Sequence, residues 1–334
     1  RNSGLLKAIN GGLFIGQAFI RILFGKKRDL VWTATMPPVL QAFAVSLAGR
    51  IRGASFLYHM QDIHPEIGLV NKSAKPGIFS KMLIALDRYT LDRSKNAIVL
   101  SDDMANALLE RGVSQKIPKV LRNFSLGQGN DNTRKLAGPP KSSEEVRFVF
   151  AGNIGRFQNL EALVDAFSLV QDQKVKLILV GEGRVKAALQ QRVEDAKISN
   201  VEFKNHMSAE KVFDFMCDCH VGLVSLNPGL YKYAFPSKVL TYMAANLPML
   251  AMVEDESRLA KLMTDENVGV SVNWEAGSDK LVEAILSVAE KARFGEMKPV
   301  EARHYFHPDV AKEKWVNLIA AYEQKTENIS GIKQ

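Results

Sequence analysis

At 334 residues the chain has room for two domains, and its 46% apolar and 24% charged residues exclude a disordered or fibrous protein. A formal charge of +8 suits nucleic acid, an anionic membrane or a phosphorylated substrate, and does not choose among them. The only cysteines, Cys217 and Cys219, exclude a disulfide framework and, lacking a second pair, a tetrahedral zinc site; they read as buried thiols in a reducing cytoplasm.

The sequence begins at Arg1 without a methionine and reads as a fragment or a processed chain. Residues 13–24 (LFIGQAFIRILF) are apolar but interrupted by Gln17 and Arg21, too short and too broken for a spanning helix. A core helix is expected there; an interfacial amphipathic helix with the basic GKKR end gives the same pattern. Asp29–Ala34 reads as a buried strand, 39–48 as a buried helix and Ala54–Met60 as the next strand. That strand runs into Gln61, Asp62, Ile63, His64, Pro65 and Glu66, polar groups past a strand's carboxyl end, where open α/β sheets bind ligands. A helix over 77–94, a strand over 96–100 and a helix capped by Ser101 follow. Strand alternating with helix implies a parallel, doubly wound sheet.

Between Ser125 and Glu145 Gly, Asn, Asp, Pro, Lys and Ser displace the apolar periodicity, as in a linker or loop. A second α/β series follows: strands over 146–151, 175–180, 201–203, 221–226, 249–253 and 268–272, and helices over 160–170, from Ser208, from Pro236 and over 279–291. A last helix spans 308–324. The expected boundaries are 1–124 for the first domain, 125–145 for the linker and 146–304 for the second, with a helix at 305–328 packing back on the first.

The chemistry is expected where the strands end. Gly152 and Gly155 let backbone approach a phosphate, although glycines end strands in every αβ fold and the spacing departs from G-x-G-x-x-G. Gly181 opens the next such loop. Pro236, Ser237 and Lys238 stand at a helix start, where unpaired N–H groups favour an anion. His64 has the ordinary pKa of an acid or base near neutrality, with Asp62 and Glu66 beside it; the structural alternative is a loop histidine and carboxylates that bond loop amides.

Taken in order, MPPVLQAFAVSLAGRIRGASFLYHMQDIHPE, AGNIGRFQNLEALVDAF, LILVGEG, VEFKNHMSAEKVFDFMCDCHVGLVSL and FPSKVLTYMAANLPMLA resemble glycosyltransferase family 4, nearest its bacterial cell-surface polysaccharide branch, which includes N-acetylfucosamine transferases. The resemblance implies a GT-B fold of two Rossmann-like domains facing each other across a cleft. The second domain would hold a nucleotide-sugar donor, with a UDP-linked N-acetylated hexose or deoxyhexose favoured. The first would hold a lipid-linked or saccharide acceptor. Transfer would be retaining, with no metal and no cofactor. It further implies a cytoplasmic protein, peripheral at the inner membrane and without nucleic-acid partners, and a missing first strand and glycine-rich loop.

Carried over by position, Asn205, His206 and Met207 offer backbone to the base, and Lys238 with Ser237 faces the diphosphate. Asn153 and Gln158 stand where many relatives have Arg and Lys, with Arg156 a substitute cation. Tyr233 and Thr241 stand where relatives have the acids of a Glu-x7-Glu pattern, and Thr241 can still bond a ribose hydroxyl. Gln61 and His64 replace a histidine and a tryptophan. Catalytic roles are expected of Lys238, Asp62, His64 and Glu66; Gly152, Asn153, Gly155, Arg156, Gln158, Gly181, Asn205, His206, Met207, Tyr233, Pro236, Ser237 and Thr241 are expected to bind the donor. These departures keep two other readings open, a non-catalytic nucleotide-sugar or partner-binding protein and a sugar-nucleotide epimerase of the same fold.

Overall fold

A computed structural model describes residues 3–124, 144–296 and 307–330. It divides into two compact units: one through Arg122 together with Lys232–Phe235 and the chain from Ala311, the other over Asn123–Tyr231 and Pro236–Val310. The expected linker falls almost wholly outside the described residues.

The first unit runs α1 (Ser3–Phe24), β1 (Leu30–Ala34), α2 (Leu40–Ile51), β2 (Ser55–His59), α3 (Glu66–Val70), α4 (Ile78–Asp92), β3 (Asn96–Val99), α5 (Asp102–Glu110) and β4 (Pro118–Val120). Its four strands are parallel in the order β1-β2-β3-β4. The short α3 and β4 were not expected, because five and three residues carry too little periodicity to read. Phe56, Tyr58, Leu91, Met104 and Leu108 form the core on one side of the sheet. On the other, helix α12 (Pro308–Ser330) brings Trp315 to stack on Trp32, with ring centroids 5.0 Å apart. The Tyr322 hydroxyl of α12 donates to Asn96 Oδ1 at 2.8 Å.

The second unit runs β5 (Val146–Ala151), α6 (Leu160–Leu169), β6 (Val175–Val180), α7 (Lys186–Asp195), β7 (Val201–Lys204), α8 (Ala209–Cys217), β8 (Val221–Ser225), α9 (Lys238–Ala244), β9 (Met249–Met252), α10 (Arg258–Asp265), β10 (Gly269–Val272) and α11 (Gly277–Arg293). Its parallel sheet has the order β10-β9-β8-β5-β6-β7. Strands 5, 6, 8 and 9 are buried on both faces, which is why they read as continuous apolar runs. The α6 stripe of Leu160, Leu163, Val164 and Phe167 closes one face of the core. Chain order reverses between β5 and β8, and a sheet of this kind opens a crevice at the carboxyl ends of the strands at that point.

Two sequence expectations are corrected by the packing. The apolar stretch at 13–24 is the second half of a 22-residue helix and is a core helix only in part: Ala18 and Ile22 pack on the core, while Leu13 and Ile20 are 59% and 57% exposed. Tyr233, expected beside the donor, belongs to the first unit, where its carbonyl accepts from the Ile63 N–H at 2.8 Å and its side chain packs on the core with Phe235.

Candidate functional site

The crevice of the second unit is a cavity of about 490 Å³. The loop after β5 supplies Gly152 and Asn153, the loop after β6 Gly181 and Glu182, the segment after β7 His206 and Met207, and α9 Lys238, Thr241 and Tyr242.

Backbone packing shapes these loops first. Gly181 has φ +140°, and a Cβ on it would lie 2.0 Å from the Gly152 carbonyl oxygen; one on Gly183 would lie 2.1 Å from that of Ile154. Loop-on-loop contact therefore demands glycine at 181, where the residue also lines the cavity. Gly181→Ala is expected to destabilise the chain by at least about 1–3 kcal/mol, the cost of a strained backbone plus a displaced neighbour, read as a lowered melting temperature. Gly152 differs: its φ of +136° calls for glycine, yet nothing lies within 4 Å of where a Cβ would stand, so its surface is open.

Hydrogen bonds correct the expected phosphate loop. Gly152, Ile154 and Gly155 donate their N–H groups to Val180 O, Glu182 O and Gln158 Oε1, at 2.9, 2.8 and 3.2 Å. Gln158, expected to bind the donor, holds the loop through its side-chain oxygen. The Asn153 N–H has no partner among the described residues and is one backbone donor this loop retains. Arg156 is exposed, and its carbonyl accepts from Asn227 Nδ2 at 2.7 Å.

Lys186, which sequence reasoning passed over, ties two rims together. Its buried Nζ donates to Gly181 O at 2.9 Å, Glu182 Oε1 at 2.7 Å and Asn205 Oδ1 at 3.3 Å. Glu182 Oε1 also accepts from the His206 N–H at 3.4 Å, and the hydrogen bond from Lys186 holds its carboxyl below the usual range. Asn205 gives its side-chain Oδ1 to Lys186 and does not line the cavity, whereas His206 and Met207 do.

Tyr242 was also missed. Fully buried, its hydroxyl accepts from the Ala151 N–H at 3.0 Å and lies 3.1 Å from Val149 O, which can take its proton. Its ring fills the space above Gly222, where a Cβ would lie 2.7 Å from it. One side chain therefore pins α9 to β5 and β8. A glycine in an apolar strand beside an aromatic helix was the available signal.

Helix α9 places Lys238. It has seven residues, and its first turn bonds to the Pro236 and Ser237 carbonyls, so the expected helix-start anion site is slight; Ser237 caps nothing with its side chain. Lys238 itself is the informative group. Part of the residue reaches solvent, but its Nζ is buried, has no hydrogen-bond partner among the described residues and stands 3.2 Å from the centroid of the Phe150 ring. Burial pushes its pKa well below the ordinary lysine value.

The polar cluster of the first unit proves largely structural. Arg111, following α5, donates to Glu66 Oε2 at 2.7 Å, to the His64 carbonyl at 3.3 Å and to Asp87. Asp87 also accepts from the Tyr58 hydroxyl at 3.2 Å. Burial pushes the Asp87 carboxyl up to about 6, with Arg111 and Tyr58 pulling back. Glu66 is therefore an ion-paired first residue of α3, not a free carboxylate. His64 is driven toward its neutral form, first by burial and then by Arg111, which disfavours it as a general acid. Asp62 makes an antiparallel backbone bridge with Ala234, and burial raises its carboxyl. Gln61 Nε2 lies 2.7 Å from His59 Nε2.

Residues 145–291 match the family described as glycosyl transferases group 1. The chain is 22% identical over 271 residues to a probable glycosyltransferase, WbjE, of Pseudomonas aeruginosa, covering 76% of this chain and 66% of that protein, just under two thirds of its length. It is 24% identical over 328 residues to a putative colanic acid biosynthesis glycosyl transferase, WcaI, of Escherichia coli (strain K12), covering 93% and 78%. The crystal structure of HepE from Anabaena in complex with UDP superposes with a TM-score of 0.64 at 15% identity, covering 96% of this chain and 81% of that one. Residues 145–291 are thus a glycosyl transferases group 1 domain, and the chain as a whole has the GT-B glycosyltransferase fold.

Proposed function

We propose that the chain moves a sugar from a nucleotide-sugar donor to a saccharide acceptor in the synthesis of a surface polysaccharide, with retention of configuration and without a metal or cofactor. The observation that carries this reading is Lys238: a buried amine nitrogen without a hydrogen-bond partner among the described residues, on the wall of a cavity at the switch point of a parallel sheet. A buried cation without a counter-charge is costly, and a diphosphate entering the cavity supplies that charge. The group 1 domain spans the same residues, and HepE was solved with UDP. UDP is therefore the nucleotide to try first, with an N-acetylated hexose or deoxyhexose attached and a lipid-linked oligosaccharide, reached from a membrane surface, as acceptor.

In this reading His206 and Met207 take the base, Thr241 a ribose hydroxyl, and the Asn153 N–H a phosphate oxygen. As the bond from the sugar's anomeric carbon to the diphosphate breaks, negative charge grows on the leaving oxygen and Lys238 stabilises it. Asp62 is the one carboxylate of the first-unit loop left without an ion pair among the described residues, and it is the candidate for orienting the acceptor. The test is mass spectrometry of products from a panel of nucleotide sugars with a polyprenyl-diphosphate-linked acceptor. Glycosylated acceptor is expected. A donor altered or isomerised with no acceptor product would mark an epimerase.

Binding without catalysis is favoured by one observation: Thr241 replaces an acid, and Tyr233 packs into the first unit. A nucleotide that binds while the panel yields no product would support it.

A further inference from the structure

One charged side chain on the wall of the second unit's cavity has no role so far. Glu182 is the only carboxylate among the described residues that line it. Its Oε1 is engaged on the protein side, accepting from Lys186 Nζ at 2.7 Å and from the His206 N–H at 3.4 Å. Its Oε2 has no hydrogen-bond partner among the described residues, and the side chain is 59% exposed in the empty cavity. Lys186 is itself fixed by backbone: its Nζ also donates to Gly181 O at 2.9 Å and to Lys204 O at 3.4 Å. A carboxylate is therefore held in place by one oxygen while the other is left for a ligand.

An ionised carboxylate only accepts hydrogen bonds, so it repels a phosphate and takes a ligand's donors. Sheet order says which donors these are. Along the carboxyl edge the strands run β8-β5-β6-β7; Lys238 stands on the helix that follows β8, the Asn153 N–H after β5, Glu182 after β6, and His206 and Met207 after β7. A nucleotide laid with its diphosphate at the first two and its base at the last has its ribose, which joins them, at the loop after β6. Ribose presents two neighbouring hydroxyls, and both can donate. Thr241 on α9 offers a neutral oxygen, a weaker acceptor for such a hydroxyl than a carboxylate.

We propose that Glu182 is a specificity-determining residue of the nucleotide site, its Oε2 accepting a hydrogen bond from a ribose hydroxyl, and that Lys186 is the positioning residue that holds the carboxylate for it. The inference rests on the nucleotide-sugar reading above and adds to it a requirement for the ribose diol.

Equilibrium binding tests it, using whichever of UDP, ADP and GDP the full chain binds most tightly, its 2′-deoxy and 3′-deoxy analogues, and inorganic pyrophosphate. Glu182→Gln should weaken the nucleotide by about tenfold to a hundredfold, the worth of one hydrogen bond to a charged group. At least one deoxy analogue should bind wild type more weakly by a similar factor, and Glu182→Gln should scarcely distinguish that analogue from the parent nucleotide. Lys186→Met should weaken the nucleotide in wild type and add little in the Glu182→Gln background. Pyrophosphate, which has no ribose, should bind Glu182→Gln no more weakly than wild type, which separates recognition from a collapsed cavity. An equal loss for pyrophosphate and nucleotide would make the clamp merely structural and overturn the proposal. So would unchanged nucleotide affinity in Glu182→Gln, or deoxy analogues that bind wild type as well as the parent does. Failure of all three nucleotides to bind wild type would instead overturn the nucleotide-sugar reading and this inference with it.

Discussion

Lys238→Met is expected to lower turnover by about 10²–10³ fold, the usual loss when a donor to a developing anion is removed from a preorganised site. The same change should stabilise the empty protein by roughly 1–3 kcal/mol, because it removes a buried polar group without a hydrogen bond and keeps the volume against Phe150. Opposite signs make the prediction sharp. A lysine kept for packing would lose stability on replacement, and one kept for solubility would change neither quantity. Denaturant unfolding and steady-state kinetics on one preparation check both halves.

The second large effect is expected in the first unit. Arg111→Ala strands Asp87 and Glu66 and removes the donor to the His64 carbonyl, so about 3–5 kcal/mol of stability should go, as when one partner of a buried pair is deleted. Arg111→Lys should recover only part of it, since one ammonium cannot reproduce the guanidinium fork. The loss should shrink in acid. Without Arg111 the Asp87 carboxyl rises from about 6 further above its unfolded value of 3.8, so the folded variant takes up a proton that relieves the uncompensated charge. A raised folded pKa favours the folded state at low pH and loses that contribution as pH climbs through it. Unfolding curves at pH 5 and pH 8 should therefore lie closer to wild type at pH 5.

The parallel strands of the second unit were legible because burial on both faces leaves continuous apolar runs such as VRFVFA and VKLILV. The loops at their carboxyl ends were legible as places, and Gly152, Met207, Lys238 and Thr241 do line one cavity. What each loop residue does was less legible, because it depends on long-range partners. Gly181 answers to the Gly152 carbonyl, Gln158 to the Gly155 amide, and Glu66 to an arginine 45 residues on. Lys186 and Tyr242 were hidden for the same reason: each sits in an ordinary helical pattern, and only the fold shows one tying two rims and the other pinning two strands and a helix. The mixed burial of α1 was hidden by its composition, since an apolar helix reads as core until some of its apolar residues are seen to be exposed.

The most direct test is calorimetric titration of UDP, ADP and GDP into the chain in buffers of different ionisation heat. Burial lowers the pKa of Lys238 in the empty site, and a diphosphate opposite it would raise that pKa again. One nucleotide should therefore bind with net proton uptake, its affinity falling as pH rises above the empty-site pKa, and Lys238→Met should abolish the uptake. Binding by none of the three, or binding with proton uptake unchanged in Lys238→Met, would contradict a nucleotide diphosphate site built on Lys238.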